Sequence, residues 1–201
     1  MRKKLGLLGL LSLFLMAFQC DEESDRNLRF NNFNVSVTPE SVFTVDETIW
    51  IEGTVSARAF DLDLQDSILE DFDQADDFSV YKLITPNGVS NAKDALDDFE
   101  LIFDMGDISF SPSCENGLVT AFPKLAKETL LKYRIGLKPL NAGDYVISWR
   151  KAELRNENRN EEIITDYFME NQPGVIGFNS CGRTSSRLLN ESDGEYYFSV
   201  E

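Results

Sequence analysis

The side chains with the most obvious chemical reach are carboxylates. Asp61, Asp63 and Asp66 open an acidic run that continues through Glu70, Asp71, Asp73, Asp76 and Asp77. Hard oxygen ligands of this kind suit Ca²⁺. The run departs from the EF-hand loop: counted from Asp61, its sixth position is Asp66 rather than Gly and its twelfth is Phe72 rather than Glu. A solvated acidic face accounts for the same residues. Paired carboxylates could also hydrolyse a glycosidic bond. With 35 Asp+Glu in the chain, however, some pair is inevitable and none is singled out. Histidine is absent, which excludes a Ser-His-Asp triad, a Cys-His dyad and His-ligated zinc or haem. No catalytic motif is present, so the chain is expected not to be an enzyme. Against the 35 acids stand 19 Lys+Arg, a net charge of −16 that disfavours nucleic acid as a partner.

Aromatic residues offer a second kind of chemistry, a stacking platform for sugars. If Ile49 and Ile51 face inward, Trp50 faces outward, and Tyr197 is likewise outward opposite Tyr196. The alternative is that another segment covers them, since an uncovered Trp is unusual. Trp149 shares a face with Tyr145 and reads as core.

The elements that must position these residues are strands. Period-2 alternation runs through Phe33-Val35-Val37, Ile49-Ile51-Val55, Leu131-Tyr133-Ile135-Leu137, Tyr145-Ile147-Trp149 and Tyr196-Phe198-Val200. A β-rich run, 78–85, stops at the turn Pro86-Asn87-Gly88, and shorter runs cover 99–103 and 108–110. One face in and one face out, repeated this often, predicts an all-β fold: an antiparallel two-sheet sandwich. One or two short helices are expected. Leu64, Ile68, Leu69 and Phe72 could line one, and Ser90 could cap another carrying Ala92, Ala95, Leu96 and Phe99. Arg155–Glu162 reads as an exposed loop.

The stretch Leu137-Lys138-Pro139-Leu140-Asn141-Ala142-Gly143-Asp144-Tyr145 joins two of these strands. It resembles the tyrosine corner of immunoglobulin-like sandwiches, in which a Tyr opening a strand bonds back to upstream backbone. Ile147 stands where the antibody-type Cys would follow, so the resemblance reaches the architecture and not the antibody disulfide. It implies an immunoglobulin-like domain over 28–201. A minimal domain of this type needs about 100 residues, so long insertions are expected at 57–77, 86–127 and 151–194.

The N-terminus reads as an address. Arg2, Lys3 and Lys4 precede an apolar run from Leu5 to Phe18, too short for a comfortable membrane span. Ala17-Phe18-Gln19 lacks an A-x-A site, and Cys20 follows, then Asp21-Glu22-Glu23. This resembles the signal of bacterial lipoproteins, whose cysteine is lipidated and becomes the mature N-terminus. The loosened lipobox and the acidic triplet resemble the Bacteroidetes-type form. There, acids in the places of Asp21, Glu22 and Glu23 act as a surface-export signal. The resemblance implies a signal peptide at 1–19, lipidation at Cys20, an acidic tether at 20–27 and an anchor in the outer membrane, surface-exposed. The periplasm-facing leaflet is the alternative. Several acyl chains hold far more firmly than the marginal grip of one. Loss of the three N-terminal cations leaves 16 basic against 35 acidic residues, a mature charge of −19. Asp66-Ser67-Ile68 resembles the O-glycosylation site of such exported proteins, at Ser67.

Export implies an oxidising compartment. With Cys20 lipidated, Cys114 and Cys181 remain, each among turn-forming residues, and are expected to pair. The expected role is non-catalytic binding of a glycan or an envelope protein. A structural or adhesion subunit is the alternative, and a carboxylate-dependent hydrolase is a third.

Overall fold

The computed structural model describes residues 26–69, 74–191 and 193–201. Cys20, Asp21, Glu22 and Glu23 lie outside the described residues, as do Glu70–Asp73 of the acidic run. Eighteen strands follow in chain order among the described residues. The first seven are β1 (Leu28–Arg29), β2 (Asn34–Val37), β3 (Val42–Phe43), β4 (Ile49–Ser56), β5 (Arg58–Asp61), β6 (Asp66–Leu69) and β7 (Asp76–Leu83). Next come β8 (Ala92–Asp94), β9 (Phe99–Met105), β10 (Asp107–Ser111), β11 (Cys114–Phe122), β12 (Lys124–Lys127) and β13 (Leu130–Pro139). The last five are β14 (Gly143–Trp149), β15 (Glu153–Leu154), β16 (Val175–Ser180), β17 (Arg183–Leu188) and β18 (Glu195–Val200). Two 3-10 turns, Leu96–Asp98 and Glu161–Tyr167, are the helical content of the described residues. The all-β class is as the alternation predicts.

The strands form one large sheet, β17-β16-β8-β7-β14-β18-β3, one smaller sheet, β12-β13-β4-β2-β15, and a three-stranded ribbon, β1-β5-β6. Pairing is mostly antiparallel. It is parallel where β15 meets β2, β16 meets β8 and β18 meets β3, so the sheets are mixed and not purely antiparallel. The two central strands are used alike. One edge of β13 is taken by β4 and the other is shared by β12 and β9. One edge of β7 is taken by β14 and the other is shared by β11 and β8. The segment 86–127, expected as a loop insertion, is therefore woven into both sheets.

The main core draws on both sheets. Val35, Val37, Ile49, Ile51, Tyr133, Ile135 and Leu137 come from the smaller one, and Phe78, Val80, Tyr145, Ile147, Trp149, Tyr196 and Phe198 from the larger. Each such side chain contributes roughly 1.5–3 kcal/mol by leaving water. Tyr145 closes the corner as predicted: its hydroxyl donates toward the Asn141 carbonyl at 3.0 Å and Asp98 Oδ2 at 2.9 Å.

Four local expectations are corrected. Leu64, Ile68 and Leu69 do not lie on a helix: β5 and β6 form a hairpin, and Leu64 and Leu69 are exposed. The expected helix after Ser90 is strand β8 plus one 3-10 turn. The far face of the large sheet is not solvated. Tyr81, Leu83, Val146 and Tyr197 are buried there under Ile164, Ile176 and Phe178. The cover is held by Asn160, which donates through Nδ2 to the carbonyls of Tyr197 at 2.9 Å and Glu40 at 3.2 Å. Asn160 is itself buried, inside the stretch expected to be an exposed loop.

Candidate functional site

Cys114 and Cys181 are joined by a disulfide, as expected, with their Cα atoms 5.6 Å apart. The bond ties two hairpin tips together. β10 and β11 close through Ser111 opposite Cys114, leaving Pro112-Ser113 as the turn. β16 and β17 close through Ser180 opposite Arg183, leaving Cys181-Gly182. The φ angles of +48° at Cys181 and +75° at Gly182 match the type I′ turn that suits a twisted hairpin. Gly182 accepts this at no steric cost. Cys181 is held there by its N–H, which donates to Asp94 Oδ2 of β8 at 2.6 Å. Burial raises the Asp94 pKa above the usual carboxylate value, and that N–H pulls it partly back. Gly117 of β11 has to be glycine, because a Cβ there would overlap Cys114 Sγ and Ser180 Oγ.

Between the tied hairpins lies a cleft of about 410 Å³ over the far face of β7 and β14. Its lining includes six serines (Ser79, Ser111, Ser113, Ser148, Ser180, Ser185), Tyr81, Leu118, Phe178, and the three arginines Arg150, Arg183 and Arg187. Among the described residues no carboxylate lines it, although acids outnumber bases 35 to 19 along the chain. Arg187 is anchored: its Nη1 donates to Glu195 Oε1 at 2.5 Å, Ser148 Oγ at 2.9 Å and the Trp149 carbonyl at 2.9 Å. Glu195 is 3% exposed, so this ion pair sits beneath the cleft and fixes its floor. Arg150 and Arg183 are exposed, and neither guanidinium has an ion pair or hydrogen bond among the described residues. A guanidinium fork can bind an oxyanion bidentately, and a serine hydroxyl both donates and accepts. Guanidinium forks beside serine hydroxyls can together hold an oxyanion and its neighbouring hydroxyls.

The residues singled out from sequence lie elsewhere. Trp50 is half-buried in β4, opposite Gly136 of β13. The Arg134 guanidinium covers its ring at 3.7 Å and is itself paired with Asp104 at 2.8 Å. Tyr197, expected to face solvent, is 2% exposed, because the Glu161–Tyr167 turn and β16 pack over it. Tyr197 therefore presents no open stacking face, and one face of Trp50 is taken by Arg134.

Asp61 is buried, and its Oδ1 accepts from the N–H groups of Asp63 and Leu64, both at 2.9 Å. Asp66 Oδ1 accepts from the Ser67 N–H at 2.7 Å. Two of the three carboxylates proposed for Ca²⁺ thus hold their own hairpin turn, and the three do not gather their oxygens as a ligand group. The group that does gather among the described residues is Asp94, Cys114 and Cys181. Its sulfurs are spent in the disulfide, and a metal would need thiolates. Ser67 is exposed on β6.

Sequence reasoning passed over the arginines. The available signal was the serines flanking each cysteine: Ser111 and Ser113 beside Cys114, Ser180 and Ser185 beside Cys181. No protein-family model, curated protein or solved structure matches the chain.

Proposed function

We propose that this chain is an exported lipoprotein, anchored through Cys20 in the outer membrane and displayed at the cell surface. Its body is an immunoglobulin-like β-sandwich that binds a glycan or an envelope protein without transforming it. The observation that carries this reading is the disulfide-clamped cleft. A bond between the tips of two distant hairpins suits an oxidising compartment. It also holds the walls of the cleft in place before any ligand arrives, which lowers the ordering cost of binding. The shared core of the two sheets and the Tyr145–Asn141 bond support the immunoglobulin-like architecture.

Two measurements test the proposal. Metabolic labelling with an alkyne fatty acid should mark the wild type and not Cys20→Ala; equal labelling overturns the anchor. The detergent-solubilised lipoprotein, screened on a glycan array and by crosslinking on intact cells, should retain a glycan or an envelope protein. Blank results in both overturn the binding role.

A further inference from the structure

We infer that the cleft between the β10–β11 and β16–β17 hairpins binds an acidic saccharide, with Arg150 and Arg183 meeting its oxyanion groups and the serines its hydroxyls. The inference rests on the binding role proposed above and names the ligand class.

Charge is the first argument. The chain is strongly acidic, yet among the described residues every charged one lining this cleft is an arginine. Arg187 is neutralised by buried Glu195 and acts as a positioning residue. Arg150 and Arg183 are left as two exposed cations with no counter-charge in the lining. Exposed and solvated in the free protein, both are available to an incoming anion, and arginine offers the planar fork that carboxylate and sulfate groups fit.

The second argument is what surrounds the cations. Six serine hydroxyls match a ligand that presents many hydroxyls of its own. The aromatic members of the lining, Phe78, Tyr81 and Phe178, are buried beneath the surface. A protein partner would ask for an exposed aromatic or aliphatic anchor, and an acyl chain for an apolar trough. The volume of about 410 Å³ falls in the range of roughly 300–1,000 Å³ usual for small-ligand sites. The net charge of −16 repels a long polyphosphate, whereas a short acidic sugar sits wholly within the local positive field.

A uronate and a sulfate ester share this chemistry, so the test separates them. The detergent-solubilised lipoprotein is applied to an array carrying uronate-terminated, sulfate-terminated and uncharged glycans. A triglutamate peptide is then titrated against the same protein. Acidic glycans of one or both kinds should be retained, uncharged glycans and triglutamate should not, and retention should fall with added salt. Arg150→Ala and Arg183→Ala should each weaken binding about tenfold or more with unchanged melting. Equal retention of uncharged glycans, equal affinity for triglutamate, or an undiminished Arg150→Ala/Arg183→Ala double variant each overturns the inference. Retention of uncharged glycans alone, or capture of an envelope protein alone, sinks this inference while the broader binding role stands. Blank results throughout sink both.

Discussion

Tyr133 of β13 donates its phenolic proton to Asp76 of β7 at 2.5 Å, joining the two sheets through the interior. Burial raises the Asp76 pKa from 3.8 to about 6, and the hydrogen bond from Tyr133 opposes that rise. The Tyr133 phenol is pushed well above its ordinary value, again chiefly by burial. Between pH 4 and 6 the folded chain therefore holds a proton at Asp76 that the unfolded chain releases. The stability this group contributes is fully present below pH 4 and is lost as pH rises through 6. The difference converts to roughly 3 kcal/mol. Asp76→Asn keeps an acceptor for Tyr133 and removes the charge. Urea unfolding at pH 4 and pH 7 should show the variant gaining roughly 2–3 kcal/mol on the wild type over that interval. A difference that does not move with pH sinks the assignment.

The Asp76–Tyr133 bond depends on a glycine. Gly53 lies opposite Tyr133 in the β4–β13 register, and a Cβ there would overlap the tyrosine ring and crowd its hydroxyl. The ring reaches Asp76 by crossing that empty position. Gly53→Ala should cost about 1–3 kcal/mol as an overpacked core site. Because the ring must move off Asp76, the variant should also change the pH dependence seen in the wild type. A variant with wild-type stability and an unaltered pH profile would show that the ring has room elsewhere.

Strand alternation was legible because β4 and β2 keep one face on the core and one toward water. The same rule misplaced Tyr197, because β18 and β14 are buried on both faces and alternation there carries no inside-outside contrast. Leu64, Ile68 and Leu69 imitate a helical stripe by spacing alone, in a hairpin whose turn is set by Asp61. The cysteine pairing was legible because only two candidates remained after Cys20. The arginine cleft was not, since Arg150 follows the end of β14 while Arg183 and Arg187 lie on β17, and they meet only once β16 and β17 fold over β14. Nothing in the local spacing of Arg150, Arg183 and Arg187 announces that convergence.

The Tyr145 corner makes a separable prediction. Its hydroxyl serves both the Asn141 carbonyl and Asp98, and Asp98 also accepts from Asn141 Nδ2 at 2.7 Å. Burial, followed by the hydrogen bond to Asp98, raises the Tyr145 pKa. Tyr145→Phe preserves the ring that packs on Phe99 and Phe198 and deletes these bonds. It should lower stability by about 1–3 kcal/mol in urea unfolding at pH 7, with unchanged sugar binding at the distant cleft. Loss below a few tenths of a kcal/mol would mean that water replaces the hydroxyl without cost.

The disulfide carries the last prediction. Its partners are 67 residues apart, and in the chain-entropy model the bond is worth about 4 kcal/mol. Denatured, unreduced protein should take up no alkylating agent at Cys114 or Cys181, and reduced protein should take up two equivalents. The structural consequence should be local before it is global. The bond reaches the protein at two hairpin tips, and Cys181 keeps its left-handed backbone partly through the Asp94 bond. The Cys114→Ser/Cys181→Ser variant should therefore show faster amide exchange at 180–185, while β14 stays protected by strands on both its edges. Acidic-glycan binding should weaken in the same variant, because Arg183 follows the released tip. Uniform acceleration across β14 and the hairpin tips would mean that the bond stabilises the whole fold and has no particular hold on the cleft.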